Sequence, residues 1–268
     1  MSQKVSVIMG VYNCADTLNE SLDSIVCQTY GNWNMIICDD GSTDNTHEIA
    51  LMYAKAHPDR IILLKNDTNM GLNHSLNRCL AIADGQYIAR QDGDDTSMPT
   101  RLEKEVELLD RSPHIAIVST AMVFFDEHGE WGVYRRTPEP GIHDLILNTP
   151  FAHAASMVRA EAVRQVGGYS VSERLLRVED YHLWYKMYKA GFRGVNIEDP
   201  LYRCRDDRDA QKRRKFRYRI NESYVKWQIM KDFRLPVRYL PLLAKPLVIG
   251  LLPGALYRML HRNRVNHA

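Results

Sequence analysis

Three carboxylates lie within four positions of one another, directly after a short apolar run. They are Asp92, Asp94 and Asp95, in the segment RQDGDDTSMP that spans residues 90–99. Like charges at this spacing repel and raise one another's pKa, so the segment is either a solvated acidic turn or a site for a divalent cation. Such cations are often held by one or two carboxylates, and a substrate's phosphates complete their coordination. Asp94, with Asp92 beside it, is therefore a candidate ligand of Mg²⁺ or Mn²⁺.

Two other polar clusters contain residue types that suit nucleotide binding. Tyr12 and Asn13 follow one apolar run, and residues 39–42, with the sequence DDGS, follow the next. A tyrosine ring can stack on a base, and the Asp40 carboxylate can accept a hydrogen bond from a base N–H. The chain contains neither G-x-x-x-x-G-K-[ST] nor G-x-G-x-x-G, so a cation would have to neutralise the phosphates. A plain turn with a helix cap is the alternative for residues 39–42.

The hydrophobic pattern predicts the elements that position these clusters. The predicted strands are residues 5–9, 35–38, 61–64 and 87–89, and the predicted helices are residues 17–28, 45–56 and 72–83. This alternation is typical of an α/β fold with a mostly parallel, Rossmann-like sheet flanked by helices. Ligands of such sheets bind at the carboxyl ends of the strands. All three polar clusters follow predicted strands, so we expect them to line one crevice.

The later part of the chain is less regular. The pattern predicts strands at residues 115–119, 122–125, 155–158 and 194–197, and helices at residues 101–109 and 179–190. Residues 126–149 are rich in turn formers and predict no definite element.

Composition restricts the class of protein. Hydrophobic residues make up 45% and charged residues 25% of the chain, as in ordinary globular proteins. Five cysteines without a C-x-x-C pair argue against a disulfide framework or a zinc site and favour a reducing cytoplasm. The first apolar segment is too short for a signal peptide, so we expect a cytoplasmic protein.

Charge is distributed unevenly along the chain. Residues 1–200 hold 18 Lys and Arg against 28 Asp and Glu, a balance of −10, whereas residues 201–268 hold 17 against 5, a balance of +12. We therefore predict two units, a catalytic domain at residues 1–205 and a basic helical tail at residues 206–268. A basic tail suggests an anionic surface as partner. Nucleic acid is the competing anion, but no nucleic-acid-binding motif accompanies the charge, and we expect none to bind.

The tail also contains an apolar stretch that prolines interrupt. Pro236, Pro241, Pro246 and Pro253 divide it, although a spanning helix needs roughly 20 mostly apolar residues. Short helices that lie in the membrane interface fit this pattern better. We expect the protein to be peripheral on the inner face of the cytoplasmic membrane.

Four segments in order resemble a known family. They are VSVIMGVYN, DDGSTDNT, QDGDDTSMPTRL and VEDYHLW. Together they resemble glycosyltransferase family 2, the inverting nucleotide-sugar transferases of GT-A fold, over about residues 4–200. The sequence departs from the family pattern at Gly10, where proline is usual. It also lacks the Q-x-x-R-W signature of processive members, which argues for the transfer of a single sugar.

The resemblance implies roles for particular residues. Tyr12 would stack on uracil, Asp40 would contact the base, and Asp39 would lie near the ribose. Asp92 would contact the ribose and metal–diphosphate, and Asp94 would be the metal ligand. Asp180 would be the catalytic base, with Glu179 beside it to raise its pKa. Asn13 and Gly71 are further candidates for contact with the nucleotide. His153 and Trp184 are candidates for contact with the acceptor, and packing inside the fold is the alternative for these two.

The predicted function is a metal-dependent inverting transfer of one sugar from a nucleotide diphosphate donor, a UDP-sugar by preference. The acceptor would be a saccharide or a polyprenyl-diphosphate-linked saccharide in the synthesis of surface polysaccharide or glycolipid. One alternative is a nucleotide-sugar-binding protein without turnover. Another is a nucleotidylyltransferase, which needs a basic glycine-rich N-terminal loop that VIMGVYNCAD does not provide.

Overall fold

The computed structural model of the 268-residue chain describes residues 5–206 and 215–252. Three of the sequence predictions fall partly outside these residues. They concern the start of the first apolar segment, the arginine-rich beginning of the tail at residues 207–214, and the apolar stretch from Pro253 onward.

Within the described residues, nine strands form one sheet and helices flank it. The strands are β1 (Val5–Val11), β2 (Trp33–Asp39), β3 (Ile61–Lys65), β4 (Tyr87–Arg90), β5 (Thr96–Ser97), β6 (Ile117–Asp126), β7 (Gly129–Tyr134), β8 (Ser156–Arg159) and β9 (Gly194–Arg205). The α-helices are α1 (Ala15–Val26), α2 (Thr46–Ala56), α3 (Leu72–Ile82), α4 (Arg101–Arg111), α5 (Ile142–Leu147), α6 (Ala160–Gln165), α7 (Glu179–Lys189), α8 (Phe216–Asp232) and α9 (Leu240–Gly250). Short 3₁₀ helices occur at Glu173–Leu175 and Val237–Tyr239.

The sheet has the order β3-β2-β1-β4-β8-β6-β9-β5, and β7 pairs with β6. The first four strands of this order are parallel neighbours, so their carboxyl ends lie along one edge. β8 runs antiparallel to both β4 and β6, whereas β6 and β9 are parallel. The expected α/β fold with a Rossmann-like half-sheet is confirmed, and its antiparallel strands lie in the second half.

Helices cover both faces of the sheet because the central strands are apolar on both sides. Along β1, Ile8 belongs to one core, whereas Val7 and Met9 belong to the other. Helices α3, α7 and α8 contribute to the Ile8 core, and α1, α2 and α4 to the opposite core. Each fully buried Leu or Ile stabilises the fold by roughly 1.5–3 kcal/mol. The two cores fix the strand ends, and therefore the polar clusters that follow them.

The middle of the chain differs from the sequence prediction. Residues 117–126 form one strand, β6, where two strands had been predicted. The pairing of β6 with β9 shifts register around Ala121, and such bulges interrupt the alternation from which strands are read. The turn-rich region contains β7 and α5. β9 has 12 residues and extends well beyond the predicted four because its distal half pairs with β6 and β5.

Helix α8 packs on the body of the protein. Val225 and Ile229 are fully buried in the Ile8 core. Lys226 is also buried, and its Nζ donates to the carbonyl oxygens of Ile146 at 2.6 Å and Leu147 at 2.9 Å. The division at residues 205/206 coincides with the end of β9 and stays a prediction, because the helix that follows shares the core. Across residues 5–206 and 215–252, we find no helix with the length and apolarity required to cross a bilayer.

Candidate active site

The carboxyl ends of β1, β2 and β4 open into a cavity of about 780 Å³. Its wall contains members of all three polar clusters and of the segment that begins α7. The predicted site residues that line it are Tyr12, Asp40, Gly71, Asp92, Asp94 and Glu179. A volume of this size is in the range of small-molecule sites.

Asp40 connects two walls of the cavity. Its Oδ1 accepts hydrogen bonds from Asn66 Nδ2 at 2.6 Å and from the Met70 N–H at 2.9 Å, and its Oδ2 accepts one from the Gly71 N–H at 2.8 Å. The carboxylate therefore orders the turn that precedes α3. Because a carboxylate can accept roughly four hydrogen bonds, capacity for one ligand donor is left. At the adjacent Gly41 φ is +72°, and a Cβ would lie 2.7 Å from a backbone carbon of Thr68, so glycine is required there.

Asp39 and Asn13 order the turns next to the cavity through hydrogen bonds to the backbone. The buried Asp39 accepts from the Ser42 N–H at 3.0 Å, and its second oxygen lies 3.0 Å from His47 Nδ1. Asn13 Oδ1 accepts from the Thr43 N–H at 2.8 Å, which links the turns after β1 and β2. Neither side chain lines the cavity of the described structure. Their predicted contacts with the nucleotide stay predictions.

The three carboxylates after β4 occupy three different environments. Asp92 forms an ion pair with the buried Arg90. Asp94 is exposed and lines the cavity. Asp95 is buried and accepts from the Arg205 N–H at 2.8 Å, which ties β9 to the loop. Burial, followed by repulsion from Asp92 and Asp94, raises the pKa of Asp95 well above its usual range. The cluster is therefore neither a uniform acidic turn nor a set of three equivalent ligands.

The donor set suits a divalent cation that a substrate helps to bind. In the described part of the chain, no three His, Cys, Asp or Glu side chains gather into a ready-made metal site. Asp94 lines the cavity, and Asp92 lines it while forming an ion pair with Arg90. One or two carboxylates completed by phosphates and water is the usual arrangement for Mg²⁺. Asp94 is thus the residue that could hold Mg²⁺ or Mn²⁺, with Asp92 as the second candidate.

Glu179 and Asp180 open helix α7 at the far side of the cavity. Glu179 lines the cavity, and its Oε2 has no hydrogen-bond partner among the described residues. Asp180 is not among the described residues that line the cavity, and the charge of Arg136 acts to lower its pKa. Burial is the largest cause that raises the pKa of both carboxyls. The charge of Asp180 adds to the rise in the pKa of Glu179, whereas the sequence predicts that Glu179 raises the pKa of Asp180.

His153 and Trp184 belong to the packed interior next to the cavity. His153 Nε2 lies 2.7 Å from the Tyr169 hydroxyl oxygen, and burial lowers the pKa of this histidine to about 3. Trp184 is 1% exposed, and its ring packs on Phe151 with 5.5 Å between the centroids. This geometry is the packing alternative that the sequence left open, and the acceptor contacts stay predictions.

One wall of the cavity was missed by sequence reasoning. Its residues are Val171, Ser172, Glu173, Leu176, Arg177 and Tyr218. They come from the irregular segment before α7 and from α8, neither of which contains a motif. Residues 171–177 come shortly before the predicted catalytic base Asp180, and this position in the chain could have indicated that they lie near the site. Tyr218 shows that the basic tail contributes to the cavity itself.

Two family models match the chain. The model described as glycosyl transferase family 2 matches residues 6–167. A second model, glycosyl transferase family group 2, matches residues 87–264.

Curated relatives match over most of the chain. The putative glycosyltransferase EpsE of Bacillus subtilis is 47% identical over 264 residues, which cover 98% of this chain and 94% of that protein. The UDP-Glc:alpha-D-GlcNAc-diphosphoundecaprenol beta-1,3-glucosyltransferase WfaP of Escherichia coli is 31% identical over 209 residues, covering 74% of this chain and 76% of WfaP.

Solved structures share the fold. TarS 1–349 of S. aureus in complex with UDP-GlcNAc has a TM-score of 0.68 at 18% identity, covering 92% of this chain and 72% of that chain. The mannosyltransferase PcManGT of Pyrobaculum calidifontis, in complex with GDP-Man and Mn²⁺, has a TM-score of 0.63 at 21% identity, covering 98% and 80%. At these identities the similarity shows the GT-A fold alone.

Proposed function

The chain belongs to glycosyltransferase family 2, and on that premise we propose that it transfers one sugar from a UDP-sugar to a lipid-linked saccharide. The observation that carries the proposal is the composition of the cavity wall. A stackable ring at Tyr12, the exposed carboxylate of Asp94 and the carboxylate of Glu179 surround one space of about 780 Å³. These are the groups that a base, a metal-bound diphosphate and a reacting hydroxyl require. The transferase activity itself follows from the family.

The donor half of the proposal rests on the ends of β1, β2 and β4. Tyr12 is 46% exposed, so its ring face is available to a base. Asp40 and the turn it orders would hold the base edge, and Asp92 with Asp94 would lie toward the ribose and diphosphate. A bound Mg²⁺ or Mn²⁺, held by Asp94 with Asp92 as second candidate, would supply positive charge beside the diphosphate. PcManGT, a structure of the same fold, is in complex with Mn²⁺ and GDP-Man.

The acceptor half requires a group that removes a proton. The acceptor oxygen forms a bond to the anomeric carbon, and the bond from that carbon to the diphosphate oxygen breaks with its electron pair on the phosphate. The acceptor oxygen attacks from the face of the sugar opposite the diphosphate, which inverts the configuration, and the hydroxyl proton passes to a carboxylate on that face. We propose Asp180 as that base, next in the chain to Glu179, which lines the cavity. Burial raises the pKa of both carboxyls, which brings a carboxylate base closer to the proton affinity the step needs.

A lipid-linked acceptor is supported by one relative and by the C-terminal helices. The printed name of WfaP specifies a diphosphoundecaprenol-linked acceptor. In this chain, Val248 on α9 and Leu251 directly after that helix form an exposed apolar face, being 60% and 75% exposed. Leu240, the first residue of α9, is 51% exposed, and Arg234 and Arg238 precede it. We propose that this face lies in the membrane interface as part of a tail at residues 206–268, and that basic residues add attraction to anionic lipid.

The proposal is tested by turnover with defined donors. Full-length protein is incubated with Mn²⁺ and a panel of UDP-, GDP- and TDP-sugars, with and without a polyprenyl-diphosphate-linked saccharide. We expect a UDP-sugar to be consumed in the presence of the acceptor, with one sugar added per acceptor. Binding of nucleotide sugars without turnover across the panel would support a binding protein and contradict the proposal.

A further inference from the structure

Among the described residues, one cationic side chain lines the cavity, and no motif predicted it. Among the described residues that line it, the charged groups are five acids and Arg177. The acids are Asp40, Asp92, Asp94, Glu173 and Glu179. A nucleoside diphosphate that enters this space meets mostly like charge, and the chain has no glycine-rich phosphate loop to offset it. Among the described residues of the wall, positive charge for phosphate binding can therefore come only from Arg177.

The backbone holds Arg177 in an uncommon conformation. Its φ is +65°, in the left-handed region that non-glycine residues rarely adopt, and only Asn13 and Arg234 share this feature among described non-glycine residues. Conformations of this kind persist when the surrounding structure enforces them, and they concentrate at active sites. Arg177 lies between the 3₁₀ helix at Glu173–Leu175 and the start of α7, so the turn presents it beside Glu179.

The side chain of Arg177 is available to a ligand. The residue is exposed, and in the described part of the chain its guanidinium forms no hydrogen bond or ion pair. It is close enough to Glu179 that its charge favours the ionised form of that carboxyl. Arg174, three residues earlier, differs because its guanidinium lies 5.9 Å from the centre of the Tyr224 ring and it does not line the cavity.

We propose that Arg177 binds the diphosphate of the donor and stabilises the negative charge that the departing nucleoside diphosphate gains. This inference rests on the proposed function. As the bond between the anomeric carbon and the diphosphate oxygen breaks, the electron pair remains on that oxygen, and a guanidinium can donate two parallel hydrogen bonds to a phosphate group. Polyprenyl-diphosphate-linked acceptors also carry a diphosphate, so the experiment must separate the two sources.

The experiment measures binding of UDP and of uridine to full-length protein by calorimetry with Mn²⁺ present. The variants are Arg177→Gln, Arg177→Lys, Arg177→Gly and the matched control Arg174→Gln. We expect Arg177→Gln to weaken UDP binding about tenfold or more while uridine binding is unchanged, because only UDP has the diphosphate. Arg177→Lys should keep part of the affinity, and Arg174→Gln should resemble wild type.

Arg177→Gly separates charge from folding. Glycine adopts a positive φ without strain, so this variant should melt no lower than wild type and still lose UDP affinity. Unchanged UDP affinity in Arg177→Gln would overturn the inference. Steady-state transfer by the same variant is measured as well, and a rise in the KM for the acceptor alone would assign Arg177 to the acceptor's diphosphate and overturn the inference too. Parallel losses for UDP and uridine would also overturn it. Wild-type protein that binds neither compound would overturn the proposed donor as well.

Discussion

The Gly71 N–H donates a hydrogen bond to Asp40 Oδ2 at 2.8 Å, and this contact joins the turn after β2 to the start of α3. Asp40 Oδ1 accepts two more hydrogen bonds, from the Met70 N–H and from Asn66. Asp40, which the family resemblance assigns to the nucleobase, is therefore also the residue that orders the turn before α3 in the cavity wall. Loss of its charge should affect folding and nucleotide binding together.

Asp40→Asn tests this double role. Both carboxylate oxygens of Asp40 accept hydrogen bonds, whereas the amide of asparagine has only one oxygen. Its NH₂ group must therefore face an N–H donor in place of one of the two oxygens. We expect the free energy of unfolding to fall by about 2 kcal/mol, in line with a lost charge-assisted hydrogen bond, and UDP affinity to fall with it. Chemical denaturation measures the first effect. Asp67→Asn, in the exposed part of the same loop, is the matched control and should change stability by less than about 0.5 kcal/mol.

Asp180→Asn tests the assignment of the base. The amide keeps the shape of the side chain but cannot take a proton, so transfer should fall by roughly 10² or more while donor affinity is retained. Single-turnover rates and UDP-sugar titrations separate the two quantities. Glu179→Gln is measured in parallel because Glu179 lines the cavity. Near wild-type transfer by Asp180→Asn, with a large loss in Glu179→Gln, would assign the proton to Glu179 instead.

Asp180→Asn should lower the rate of transfer but raise the stability of the fold. Burial raises the pKa of Asp180 in the folded protein. The folded state therefore binds this proton more tightly than the unfolded chain, and the stability that protonation supplies is lost as pH rises through the raised pKa. At pH 7 the charge of this partly buried carboxylate opposes folding, so Asp180→Asn should raise the melting temperature. The increase should disappear at a pH below the ordinary pKa of aspartate.

Asp232→Asn is the control with the reverse sign. Hydrogen bonds from Lys189 and Tyr185 lower the pKa of Asp232, so its charge stabilises the fold above the unfolded pKa and stops doing so as pH falls. This variant should melt below wild type at pH 7 and match it at low pH. Melting curves at several pH values record both variants. Equal melting temperatures for Asp180→Asn and wild type at pH 7 would contradict the buried-charge explanation.

The sequence predicted the parallel half of the fold because apolar runs, helical periodicity and turn residues agree there. The clusters at Tyr12, Asp40 and Asp94 could be placed at one edge by the rule for parallel strands alone. The division of labour among Asp92, Asp94 and Asp95 could not, because it depends on Arg90 and Arg205. Arg90 lies on β4, and Arg205 lies at the end of β9. Arg205 follows Asp95, the residue to which it donates a hydrogen bond, by 110 positions in the chain.

The far wall of the cavity was unpredictable for a related reason. Tyr218 reaches the site through the packing of α8, which buries Val225 and Ile229, and no local pattern marks that long-range contact. Arg177 stands in a turn whose positive φ is not encoded by glycine or asparagine. Sequence patterns report local structure and core faces, whereas this wall is a product of tertiary packing.

The apolar face of α9 gives a test of membrane attachment. Val248→Asp and Leu251→Asp introduce charge at two strongly exposed positions, so the fold should tolerate them while binding to anionic vesicles falls. Met52→Asp, on α2, is a control because Met52 is 56% exposed. Flotation with vesicles of increasing anionic lipid content, at low and high salt, measures binding. Wild-type binding should weaken at high salt because screening shortens the reach of the charges. Equal vesicle binding by wild type and by the double variant Val248→Asp/Leu251→Asp would show that this face does not contact the membrane.

The most direct test concerns the Asp94 carboxylate and the nucleotide. Calorimetry compares UDP binding to wild type and to Asp94→Asn, each with and without Mn²⁺. Because Asp94 is exposed at the cavity, the substitution should leave the fold unchanged, which a melting curve verifies. We predict that Mn²⁺ strengthens UDP binding by wild type about tenfold or more and has no effect on Asp94→Asn. Undiminished stimulation by Mn²⁺ in Asp94→Asn would show that Asp94 does not hold the metal.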